Sequence, residues 1–118
     1  MAIPHAAAGQ AIDVRPLVDH LRQAVTTTLV KSDQLEIIRL VLPAGKELPP
    51  HRVAGSITVQ CLAGLIEFHA AGRCQTPERG LMLYLDGNEL HSVNAVEDSS
   101  VLVTIHITGN SLSAADVP

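Results

Sequence analysis

From Thr26 onward, β-branched and aliphatic residues come in short runs separated by Gly, Pro, Asn and Asp. The runs are Thr26 to Val30, Leu35 to Leu42, Ser56 to Leu62, Leu65 to His69, Leu81 to Leu85, His91 to Val93 and Val101 to Ile107. Runs of this length and composition, bounded by turn formers, predict strands. Seven strands with no helix between them argue against a parallel sheet built from strand-helix-strand units. They predict an all-β chain, an antiparallel sandwich or barrel.

Within Ser56 to Leu62, Ile57, Val59 and Cys61 share one face and Thr58, Gln60 and Leu62 the other, which turns one face toward a core. Ala63-Gly64 follows, and glycine supplies the positive φ of a tight turn, so this run and Leu65 to His69 are expected to form a hairpin. Leu62, apolar on the second face, is expected on an outer surface that another subunit covers, and a homodimer follows from it. Ahead of the strands, Leu17, Val18, Leu21 and Val25 recur at helical spacing behind Pro16 and predict a short amphipathic helix. The expected organisation is an arm with this helix over residues 1–25, one β-domain over 26–110 and a tail over 111–118 that carries no chemistry.

Composition narrows the core and the partners. Phe68 and Tyr84 are the only aromatic residues although 47% of the chain is hydrophobic, so the core is chiefly Leu, Ile, Val and Ala. A net charge of -4, with basic residues scattered singly, gives nucleic acid no phosphate-tracking surface. The first ten residues do not read as a secretory signal, and no apolar stretch is long enough to cross a bilayer as a helix, so no membrane partner and a cytoplasmic location are expected. Cys61 and Cys74 follow neither a metal-ligand nor a disulfide-dense pattern. Two free thiols are expected, with a Cys61–Cys74 disulfide as the alternative.

Six histidines are many for 118 residues. Imidazole is both a metal ligand and a base near neutral pH. His5 lies in the arm and His20 on the expected helix, where a solvated role suffices. His51 follows Pro-Ala-Gly-Lys-Glu-Leu-Pro-Pro, whose prolines fix φ and hold it at the mouth of the next strand. His91 follows the turn Asp86-Gly87-Asn88-Glu89-Leu90 and opens a strand. Launched from two distant turns, His51 and His91 could converge on one ligand or one metal.

These turns carry a resemblance. Gly45, the five residues Lys46 to Pro50, His51 and later Gly64 are similar to the first motif of the cupin superfamily. Gly80, five residues, then Asp86-Gly87-Asn88-Glu89-Leu90-His91 are similar to the second. The likeness spans about Leu35 to Ile107. It implies a single antiparallel jelly-roll-like β-barrel of the small RmlC-like kind, commonly dimeric, with a metal or small ligand in its mouth.

The chain departs from the family at the ligands themselves. Four side chains hold a divalent transition metal there, and here the second histidine position is Val53 and the acid position Ile57, with Thr58 one residue away. Two of the four ligand positions, His51 and His91, remain. His106 and His69 have no assured inward direction, and Glu89 could share a face with His91.

Three functions follow from the resemblance and its departures. The first is a cupin that binds a small organic molecule, an anion or a sugar-like compound, through His51 and His91. The second is a metal-dependent oxygenase or isomerase with the same two histidines as ligands, and the third a metal-free isomerase or epimerase using one of them as base. No nucleophile elbow or phosphate-binding loop competes with these.

Overall fold

The structure is a computed structural model that describes residues 5–16 and 24–108. Nine strands follow in chain order: β1 Thr27–Lys31, β2 Leu35–Leu42, β3 Glu47–His51, β4 Ile57–Ala63, β5 Ile66–Ala70, β6 Arg73–Gln75, β7 Met82–Leu85, β8 His91–Ala95 and β9 Ser99–His106. They form two antiparallel sheets, one of order β1-β2-β9-β4-β7 and one of order β3-β8-β5-β6. Among the described residues no ladder joins the two sheets, so the expected closed barrel is an open sandwich of two facing sheets.

Alternation along the strands builds the core. Ile38, Leu40 and Leu42 of β2, Ile57 and Val59 of β4, and Val101, Val103 and Ile105 of β9 face Ile66 and Phe68 of β5 and Val93 and Ala95 of β8. Removing this aliphatic surface from water is the main favourable term holding the sheets together.

Three further expectations change. The expected hairpin at Ala63-Gly64 does not form, because β4 lies in the five-stranded sheet and β5 in the other. Gly64 does take a positive φ of 90°. The turn serves instead to carry the chain from one sheet across to the other, and it packs so closely on Asp98 and Ser99 that a Cβ would lie 2.3 Å from the Asp98 carbonyl. The tight hairpin is β5–β6, closed by Ala71 and Gly72 at φ 53° and 72°.

Leu62 is not an outer residue. A bulge between Cys61 and Ala63 breaks the alternation of β4 against β9, and Leu62 is 7% exposed within the single chain. The exposed apolar side chains of this sheet are instead Met82 and Tyr84, on the edge strand β7.

β3 runs through a stretch read from the sequence as a loop. Pro49 and Pro50 lack the N–H that a central strand needs, yet β3 is an edge strand, where proline is tolerated.

The expected helix falls largely on residues 17–23, outside the described residues, while Pro16, Ala24 and Val25 are not helical. The arm ahead of it lies against the β-domain: the Ala6 N–H donates to the Leu29 carbonyl at 2.9 Å, and the Arg39 guanidinium donates to the Asp13 carbonyl. Among the described residues no helix is long and apolar enough to cross a membrane.

Candidate functional site

His51 ends β3 and His91 begins β8, and the two are directly paired across the ladder. Directly paired residues of antiparallel strands project to the same face. Here the ring centroids are 4.3 Å apart with planes inclined by 57°. The prolines make this possible. Leu48 pairs with Val93 and His51 with His91, three steps on one strand against two on the other, so a bulge at Pro49-Pro50 resets the alternation.

The turn carrying the second motif is docked on the loop carrying the first. The Asn88 N–H donates to the Val53 carbonyl at 2.7 Å, and Asn88 takes the positive φ of 64° that asparagine tolerates. At Gly87 a Cβ would lie 2.2 Å from the Ala54 carbonyl, so only glycine lets the two segments approach. Asp86 and Asn88, which stand where the resembled motif has proline and glycine, therefore leave the turn intact.

The rings are held alike. Nδ1 of His51 lies 3.0 Å from the Pro49 carbonyl and Nδ1 of His91 lies 3.0 Å from the Glu89 carbonyl. A carbonyl only accepts, so each Nδ1 carries the hydrogen and each neutral ring keeps its lone pair on Nε2. Both Nε2 atoms are buried and have no hydrogen-bond partner among the described residues. A buried acceptor left unpaired costs about 1–3 kcal/mol, so the pair is an expensive arrangement for a purely structural role.

Phe68, 3% exposed, stacks on His91 with centroids 5.7 Å apart and planes within 10°. The sequence reading counts Phe68 only as one of two aromatic residues and gives it no place at the site. Its position one residue beyond Glu67, on the inward face with Ile66, was the available signal.

His91 itself is 3% exposed, and burial holds its pKa below the ordinary imidazole value of 6.5. The bond to the Glu89 carbonyl opposes that shift and the nearby His51 adds to it. The unfolded chain then takes up the proton first as pH falls through 6.5, which favours unfolding; above 6.5 both states are neutral and nothing is lost. Thermal stability is expected to decline as pH falls from 6.5 to 5.5, and His91→Gln to flatten that decline in melting curves. An unchanged slope in the variant would assign the effect elsewhere.

The other candidates fall outside this pair. His69 and His106 are exposed, Val53 and Ile57 are each 2% exposed, and the space they enclose with Gly55, Leu85 and His91 is too tightly packed for a water molecule. The Glu89 side chain is half-buried, and its backbone carbonyl is what holds His91. His5 is exposed and His20 lies outside the described residues.

Among the described residues, no three His, Cys, Asp or Glu side chains gather where they could hold a metal ion. Two imidazoles beside buried Val53 and Ile57 therefore do not fit the four-ligand metal site of the family. Room for a ligand exists at this end of the four-stranded sheet. A cleft of about 560 Å³ is lined by Pro50, Glu89, Leu90, His91 and Ser92, and on its other side by the β5–β6 hairpin.

Comparison with known proteins fits this architecture. Neither a known family profile nor a curated protein matches the chain in sequence. Solved structures do match. A conserved protein of unknown function from Streptococcus pyogenes is similar with TM-score 0.69 and 23% identity, over 90% of this chain and 94% of that one. An RmlC-like cupin from Desulfovibrio desulfuricans is similar with TM-score 0.63 and 28% identity, over 88% and 96%. A third, from Methanocaldococcus jannaschii, is an RmlC-like cupin with a double-stranded β-helix fold, with TM-score 0.67 and 16% identity over 86% and 93%.

The two facing antiparallel sheets are thus a double-stranded β-helix. With the histidine-bearing turns of both motifs in place, the chain shares the fold of RmlC-like cupins, which supports membership of the cupin superfamily. Its structural neighbours include a lyase and a dioxygenase as well as proteins without an assigned activity.

Proposed function

We propose that this cupin binds a small organic ligand at the mouth of the sandwich, anchored by His51 and His91. One observation carries the reading: two buried Nε2 lone pairs, adjacent and without a partner among the described residues, beside a cleft that could hold the rest of a ligand. Both Nδ1–H groups are committed to backbone carbonyls, so the neutral pair can only accept. The ligand must bring a donor, a hydroxyl or an amine, and a sugar-like compound suits the pair better than a carboxylate. Val53 and Ile57 at the remaining family ligand positions favour binding without a metal.

A thermal-shift panel of polyols, sugars, amino alcohols and simple carboxylates tests this. Hydroxyl- or amine-bearing compounds are expected to raise the Tm of the wild-type chain, by the equivalent of about 2.7 kcal/mol at a hundredfold excess over Kd. His51→Phe, which fills the same half-buried position, is expected to abolish the shift while keeping the strand signature in circular dichroism. No shift with any donor compound, equal shifts in the variant, or stoichiometric metal that the wild type retains and the variant loses would each overturn the reading.

A further inference from the structure

The β5–β6 hairpin brings together a nucleophile and a base that the imidazole pair does not use. Ala71 and Gly72 close a two-residue turn with both φ positive, which sets His69 directly across the ladder from Cys74. Cys74 Sγ lies 3.8 Å from His69 Nε2, within hydrogen-bonding reach for sulfur. Both residues are exposed, and both line the far side of the 560 Å³ cleft with Arg73. Among the described residues β6 is the edge of its sheet, with no neighbouring strand to cover it. The other thiol, Cys61, is fully buried and bonds to the nearby Ala63 and Gly64 carbonyls.

We propose that Cys74, with His69 as its base, is a modification site for low-molecular-weight disulfides. His69 Nε2 takes the thiol proton and the Sγ thiolate attacks one sulfur of a disulfide RSSR. A new S–S bond joins Sγ to that sulfur as the original S–S bond breaks. The leaving thiolate collects the proton from His69 and departs as RSH. The protein thiol is oxidised to a mixed disulfide and half of the reagent is reduced, so no further oxidant is needed. The cleft gives the attached R group a place to lie. This site stands whether or not the imidazole pair holds a ligand.

The test uses the full chain and oxidised glutathione, followed by intact mass and peptide mapping. A single adduct on Cys74 is expected, with none on Cys61 in the folded protein. In His69→Ala, a change at an exposed position, the rate near pH 7 is expected to fall by about tenfold or more, as for a lost general base. The two rates should converge at high pH, where the thiol ionises unaided. Cys74→Ser removes the adduct. Equal rates and superimposable pH profiles for wild type and His69→Ala would overturn the proposal, as would modification of Cys61 ahead of Cys74.

Discussion

Gly55→Ala is expected to destabilise the fold by about 3 kcal/mol or more, at the upper end of what overpacking costs. An added Cβ would stand 1.6 Å from the His106 carbonyl oxygen and 2.8 Å from its carbon. Both are backbone atoms, so no side-chain rotation relieves the clash. One residue on, the His106 N–H donates to the Ser56 carbonyl at 3.0 Å, which ties the loop to the end of β9. Moving the loop away would break that bond and drag buried Val53, whose carbonyl receives the Asn88 N–H of the histidine-bearing turn. Scanning calorimetry should show a Tm lower by roughly 10–20 °C. A Tm within about 2 °C of wild type would mean that the loop yields without cost.

The second large effect is expected at Phe68. Phe68→Ala removes the only large aromatic side chain in the core, at a cost of about 3–5 kcal/mol. The loss also strips His91 of its stacking partner, so packing and site are coupled through one ring. Phe68→Leu separates the two. It keeps most of the buried volume and is expected to cost under about 1.5 kcal/mol, as other volume-conserving swaps do, while leaving the imidazole unstacked. Chemical denaturation measures the first quantity and histidine side-chain NMR line positions the second. Similar destabilisation by Ala and Leu would show that the ring's shape, and not its bulk, holds the core.

The seven strands legible in the sequence are those whose β-branched or aliphatic runs turn one face toward the core, because burial is what writes alternation into a chain. β3 and β6 were not legible for opposite reasons. β3 contains two prolines that would disqualify a central strand, and nothing local says that it lies at an edge. β6 is three exposed residues, Arg73, Cys74 and Gln75, with nothing to bury.

Ala63-Gly64 shows a further limit. A positive φ at Gly64 suits a hairpin and a crossing between sheets equally, and the choice depends on which distant strands β4 and β5 join. Turn chemistry was enough to bring His51 and His91 forward as candidates, and the ladder sets them opposite one another. That the expected metal set is incomplete was also visible, at Val53 and Ile57. The His69–Cys74 pair was readable in principle from Ala71-Gly72, since a two-residue turn fixes which residues face each other.

The proline bulge of β3 acts as a phase shifter. Strict alternation would send His51 to the opposite side of the sheet from Leu48, three residues before it; one extra residue returns it to the same side, opposite His91. The six-residue step from Gly45 to His51 therefore carries a parity as well as a length. Insertions of one residue there would exchange inside for outside, whereas insertions of two would preserve it. Among relatives of this chain, the loop is expected to vary in even steps wherever the imidazole stays at the mouth.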